Sequence, residues 1–393
     1  MTTGGRPSAP AHQPTGDGSQ PGRQPDSSAS DGSATVRPPS GGPTAGGPDA
    51  DRSGSGRPSR RRAWAELLRL PALFTVPGDA LAGAAAAGVR PNARTLLAIG
   101  SSVCLYEAGM ALNDWADRAE DAVERPHRPI PSGRVRPAAA LTAACALTGA
   151  GLALAAGAGR PALAVAAPLA ATVWAYDLTL KHTPAGPVAM AGARALDLLL
   201  GAAATGGRTR EALPSAALLG THTLAVTTVS RQETQGGSPL APLAALAATG
   251  LLTRLVTGRG RPYRPAEPSP GGRPASPPTA PHHRPGTARG TTARPTTPPR
   301  WTRASRPGAG SDLAAGLTTA LGAVYAATAA RPYLHAALNP SPPLTQRAVG
   351  AGIRATIPLQ AGLSARNGAA APALLIAALA PLGARFARKV SVT

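Results

Sequence analysis

Apolar stretches of membrane-spanning or near-spanning length recur along most of this chain. They lie at about 65–87, 94–112, 137–159, 161–179, 186–206, 212–229, 239–257, 312–330, 348–365 and 369–387. Residues 137–159 carry no charge at any position, and a helix of about 20 apolar residues crosses the hydrocarbon of a bilayer. Inside lipid every backbone polar group must be satisfied within its own segment, which confines such a chain to helices. Polar and apolar residues do not alternate here at the helical period that a water-soluble bundle requires. The expected fold is all-α: a polytopic transmembrane helical bundle of about nine spans. Segment 348–365, interrupted by Arg354 and Pro358, decides between nine and ten.

Whole-chain averages hide this pattern. A formal charge of +21 over 393 residues and a mean hydropathy of −0.05 would suit a basic soluble protein. Two kinds of sequence are mixed, however. Residues 1–62 are rich in Gly, Pro and Ser and contain no Trp, Phe, Tyr, Leu or Ile. Residues 258–311 repeat that composition with arginines among the prolines. Neither stretch has the apolar content to form a core, so both are expected to be disordered. The membrane core is then 63–257 plus 312–393. No aromatic-interleaved basic face accompanies the positive charge, which argues against a nucleic-acid partner and for a lipid bilayer. Cys104 and Cys145 lie in apolar runs and form no disulfide or metal pattern. The loop 113–137 carries Arg118, Arg125, Arg128, Arg134 and Arg136, and the loop 177–185 carries Lys181. The Lys/Arg bias places these alternate loops on the cytoplasmic side of the cell membrane.

The chemistry concentrates in Asn113-Asp114-Trp115-Ala116-Asp117-Arg118-Ala119-Glu120-Asp121. At about 100° per residue Asp114, Asp117 and Asp121 share one helical face, with Asn113 beside Asp117. Three like charges on one face repel, and at a helix C-terminus the macrodipole disfavours them further. Something positive is expected to fill the face, and hard oxygen ligands point to Mg²⁺. The string continues as Glu124-Arg125-Pro126-His127-Arg128-Pro129-Ile130-Pro131-Ser132-Gly133. N-D-x-x-D-x-x-x-D followed by R-P-x-R-P-I-P-S-G resembles the first aspartate-rich motif of UbiA-type intramembrane prenyltransferases, and the core has that family's size.

The resemblance implies a Mg²⁺-dependent enzyme that transfers an isoprenyl group from an allylic diphosphate to a membrane-soluble acceptor. In it Asp114, Asp117 and Asp121 hold metal, while Asn113, Arg125 and Arg128 hold metal or diphosphate. Tyr176 and Lys181 resemble the tyrosine and basic residue that many members carry between the fourth and fifth spans. The third loop, Ser230-Arg231-Gln232-Glu233, sits where the family has a second aspartate-rich motif, but offers only Glu233, with Ser230 in place of the first aspartate. Glu233 as a second metal ligand and Arg231 as a substitute charge are the expectations there. Arg194 and Asp197, at i and i+3 inside a span, mark either a cavity or a packing salt bridge. Arg354, Gln360 and Arg366 punctuate the late apolar run as interfacial groups or as acceptor ligands. Two alternatives stand beside this reading. A CDP-alcohol phosphotransferase would need a Gly and an Arg that the Asp114–Arg125 stretch lacks. A non-catalytic transporter or scaffold of the same fold would explain the reduced second motif.

Overall fold

The computed structural model describes residues 60–69, 74–232, 238–258 and 309–391. All of them belong to one compact unit, Gly56–Thr393. The proposed boundaries at 62 and 311 fall at or beside undescribed stretches, and most of 1–62 and 258–311 lies outside the described residues, as does Glu233.

Among the described residues the chain is helical without strands. The helices are α1 (Arg60–Leu67), α2 (Val76–Ala86), α3 (Ala93–Ala116), α4 (Arg118–Glu124), α5 (Pro137–Ala158), α6 (Arg160–Ala175), α7 (Gly186–Gly206), α8 (Thr209–Ser230), α9 (Leu240–Thr257), α10 (Ala309–Leu338), α11 (Pro342–Arg366) and α12 (Ala370–Ser391). A π-helical turn, Tyr176–Leu180, extends α6. Among the described residues seven helices are long and apolar enough to cross a membrane: α3, α5, α6 with its π turn, α7, α8, α9 and α10. The fold is that of a multi-pass membrane protein.

The ends of the chain depart from the expected spans. The run 65–87 does not form one helix. It breaks at Arg69, whose φ of 48° is left-handed, and resumes as the 11-residue α2. Segment 348–365 is helical throughout as part of α11, with Pro358 inside it, and Arg354 is exposed.

Local chemistry fixes the ends and contacts that matter. Asn92 caps α3 in a capping box: its side chain accepts from the Thr95 amide, and Thr95 Oγ1 accepts from the Asn92 amide at 2.9 Å. That cap sets the register that presents Asp114 and Asp117 at the far end. Threonine hydroxyls return to carbonyls four residues back, as Thr148 does to Ala144 and Thr249 to Ala245, so the spans satisfy themselves. Helix α2 lies close against α7. A Cβ on Gly201 would fall on the Ala80 backbone, and one on Gly83 would fall on the Leu198 carbonyl. Small residues allow this backbone contact, as in other membrane helix pairs. Leucines 213, 243, 251 and 255 point outward and are exposed, as lipid-facing positions would be.

Candidate active site

The aspartate face of α3 stands at one end of the bundle, where the loops after α3 and α6 and the end of α1 meet. Asp114 is buried at 4% exposure, and its Oδ1 lies 3.3 Å from Arg69 Nη2 and 3.6 Å from Arg128 Nη1. Asp121, on α4, is buried at 1%. It takes Arg128 Nη1 at 2.6 Å and Arg125 Nη1 at 3.3 Å. Asp117 accepts Asn113 Nδ2 at 2.8 Å on one oxygen and Lys181 Nζ on the other. Burial works against the Asp117 carboxylate, but its hydrogen bonds from Lys181 and Asn113 prevail and hold its pKa below the usual aspartate range. The positive charge that three aspartates on one face require is thus supplied by Arg69, Arg125, Arg128 and Lys181.

The Pro-rich tail of the motif is a compact turn that aims Arg128. Ser132 returns both its amide (3.0 Å) and its hydroxyl (2.6 Å) to the Arg128 carbonyl, and the Val135 amide meets Pro129 O at 2.9 Å. Gly133 takes φ of 74° with open space around it, a conformation that glycine adopts without strain. Arg134 ties the turn to α1 through Glu66 Oε2 at 2.6 Å and closes on the His127 carbonyl at 2.7 Å.

Two neighbours of this face were not singled out from sequence. Arg69 reaches Asp114 across 45 positions, and the visible signal was a lone arginine inside an apolar run. Asp177, in the π turn, is buried, lies near Asp117 and Lys181, and its Oδ2 would stand 3.8 Å from a Cβ on Gly109. Tyr176 is half-buried within electrostatic reach of Asp117 and Arg231.

The third loop joins the site indirectly. Arg231 donates to the Thr183 carbonyl and, at 3.5 Å, to that of His182, and so holds the loop that carries Lys181. Ser230 hydrogen-bonds to Thr227 O within its own helix at 2.9 Å.

By donor chemistry Asp114, Asp117 and Asp121 offer the hard oxygens that a divalent metal takes; α3 ends at Ala116 and Asp121 lies on α4, so the three do not share one helix as the spacing predicts, and each already meets a side-chain cation. Among the described residues, one group of metal-type ligands has donor atoms all within 4.8 Å of each other: Asp117, Glu120 and His182. Asp117 is therefore the ligand common to the sequence-derived set and to the geometric one. Glu120 and His182 are exposed.

Comparison with known proteins shows a family likeness over part of the chain. Residues 73–253 match the model of the UbiA prenyltransferase family. The resemblance read from the aspartate string is thereby borne out over that region. The chain is 38% identical over 128 residues to a digeranylgeranylglyceryl phosphate synthase of Methanopyrus kandleri, covering 31% of this chain and 45% of that protein. It is 38% identical over 100 residues to the chloroplastic chlorophyll synthase of Oryza sativa subsp. japonica, covering 23% and 27%. The chain spans about half the length, or less, of the curated relatives it matches. A solved structure bearing on digeranylgeranylglyceryl phosphate synthase in membranes shares the fold at a TM-score of 0.50 and 15% identity. That match covers 79% of this chain and 99% of the other. The UbiA region holds α2 to most of α9, and therefore the whole aspartate face except Arg69.

Proposed function

We propose that this chain is an integral membrane prenyltransferase that moves an isoprenyl group from an allylic diphosphate to a lipid-soluble acceptor. The observation that carries the reading is the meeting of Asp114, Asp117 and Asp121 with Arg69, Arg125, Arg128 and Lys181 at one end of a helical bundle. The carboxylates would hold a divalent cation, Mg²⁺ by the hardness of its oxygen ligands, which as a Lewis acid would neutralise charge on the leaving diphosphate. The arginines present planar donors suited to phosphate oxygens, and Lys181 adds a point charge. Asn113 orients Asp117, and Arg231 keeps the Lys181 loop in place. When the donor's allylic C–O bond breaks, the electron pair leaves with the diphosphate, and the acceptor's nucleophile captures the carbocation.

The relatives' names make geranylgeranyl diphosphate the first donor to test. The products their names give, digeranylgeranylglyceryl phosphate and chlorophyll, differ too much to choose an acceptor for this chain. Arginines of the 113–137 loop and Lys181 favour the cytoplasmic side for this end. Binding of labelled geranylgeranyl diphosphate to membranes that hold the protein tests the site directly. Retention that requires Mg²⁺, and that Asp114→Asn abolishes, supports it. Retention that ignores both metal and mutation would contradict it.

A further inference from the structure

Cations inside the bundle are spent on carboxylates. Arg194 of α7 meets Asp79 Oδ2 of α2 through Nε at 3.1 Å, rather than Asp197 on its own helix, and Asp79 has no exposed surface. The arginines around the aspartate face are paired as well. One group of arginines is not. Ala63 and Leu67 of α1 are buried in one cluster with Leu112, Ile130, Val135 and Ala140. The same helix carries Arg60 and Arg61, and Arg136 stands at the start of α5. All three arginines are exposed, and among the described residues no hydrogen bond or ion pair occupies their side chains.

Two adjoining cavities open beside these cations. The first, of about 370 Å³, lies between Arg60 and Trp64 of α1, Arg134 and Arg136 of the turn, and Ala139 in the first turn of α5. The second, of about 550 Å³, runs along α1 past Arg60, Arg61, Trp64, Ala65 and Leu68. Both volumes fall within the range of roughly 300–1,000 Å³ that ligand pockets occupy. They share Arg60 and Trp64, so a basic recess continues into a mainly apolar groove. Arg134 is fully engaged, through Nη1 to Glu66, Nη2 to the His127 carbonyl and Nε to the Ser132 hydroxyl. It shapes the wall, while Arg60 and Arg136 offer free donors. Glu66 is shared by Arg62 at 3.4 Å and Arg134 at 2.6 Å, and among the described residues no carboxylate lines either cavity. Helix α5 starts at Pro137 with no side chain capping it, and its N-terminus adds partial positive charge to the recess.

We propose that the two cavities hold one anionic phospholipid, its phosphate between Arg60, Arg136 and the start of α5, and an acyl chain along Trp64, Ala65 and Leu68. Charge and polarity together name the occupant. Among the described residues here Arg60, Arg61, Arg62, Arg134 and Arg136 stand against the single carboxylate of Glu66, an excess that draws an anionic headgroup. A soluble phosphate would leave the apolar groove in water. A ligand with an anionic head and a chain fills both spaces. Trp64 stands where the two meet, with an apolar body and a polar N–H edge that suit the membrane interface. Geranylgeranyl diphosphate also joins an anion to a chain, but these cavities lack a carboxylate to hold its divalent cation, which the aspartate face supplies. The proposal rests on the membrane fold and not on the prenyl-transfer reading.

Calorimetric titration of the purified full chain in detergent with dioctanoyl phosphatidylglycerol, and with dioctanoyl phosphatidylcholine as its zwitterionic match, tests this. The anionic lipid should bind at least about tenfold tighter, in Mg²⁺ and in EDTA alike. The triple variant Arg60→Gln, Arg61→Gln, Arg136→Gln should lose that preference. A charge-matched variant, Arg90→Gln, Arg94→Gln, Arg210→Gln, should keep it, because those exposed arginines lie at the starts of α3 and α8, at the other end of the bundle. Ala139→Glu, which sets a carboxylate in the recess, should weaken phosphatidylglycerol and leave phosphatidylcholine unchanged, a selective loss that misfolding cannot give. Glycerol 3-phosphate and Mg²⁺–geranylgeranyl diphosphate should displace neither lipid. A preference absent from the unmodified chain would overturn the proposal, as would one that survives in the site variants or falls equally in both triple variants. Displacement by glycerol 3-phosphate would replace the phospholipid with a soluble phosphate, and displacement by the isoprenyl diphosphate would give the cavities to the donor; either result overturns it.

Discussion

Asp117 is tied at once to Asn113 on its own helix and to Lys181 from another loop, so its charge state links two elements. Its pKa is held below the unfolded value, so the pairing contributes stability above that unfolded pKa, about 3.9 for aspartate. The contribution is lost as pH falls through the depressed folded value. An acid titration of the folded state should therefore show Lys181→Met unfolding at higher pH than the unmodified chain. Coincident acid midpoints would argue that the pair carries no linkage. For catalysis, Asp114→Asn and Asp117→Asn should each lower turnover by about 100-fold, the scale seen when one preorganised charge-stabilising group is removed, with helicity by circular dichroism unchanged. Asp114, Asp117, Asp121, Arg125 and Arg128 were legible because they are close in sequence and share a helical period. Lys181 was legible only through resemblance. Arg69 and Asp177 escaped because their meeting with the aspartates depends on the break at Arg69 and on the π turn, neither of which has a local sequence code.

At the scale of elements, the close contact of α2 and α7 holds Asp79 beside Arg194. Gly201→Val would drive two methyl groups into the Ala80 backbone, and overpacking of this kind costs about 1–3 kcal/mol. Its thermal midpoint in detergent should fall by several degrees, with Gly149→Val, where nothing lies within 4 Å, as the unaffected control. The spans from α3 to α10 followed the apolar runs closely, because length and uncharged composition suffice to define a crossing helix. The first run did not. Hydropathy averages across Arg69 and cannot register the left-handed backbone there. The pairing of Arg194 was equally hidden, since i, i+3 spacing favoured Asp197 while the fold brings Asp79 from a distant helix.

At the scale of the whole molecule, the stretches 1–60 and 260–308 carry much of the positive charge and little apolar surface. Deleting 1–56, or shortening 260–308, is expected to leave turnover within about twofold, because neither stretch has the apolar composition to build a core. A large loss in a membrane assay would show that one of them belongs to the site. The third loop offers Glu233 as its one carboxylate, and Arg231, which grips the Lys181 loop, shows how a cation there can serve by positioning. The central claim is that the Asn113–Asp121 face ionises an allylic diphosphate with the help of a divalent cation. Release of diphosphate from geranylgeranyl diphosphate by the purified protein in lipid, with a mixed set of lipid-soluble acceptors, tests it most directly. The account predicts release that needs Mg²⁺, stops with chelator and falls about 100-fold in Asp117→Asn; release of equal size in chelator, or in that variant, would contradict it.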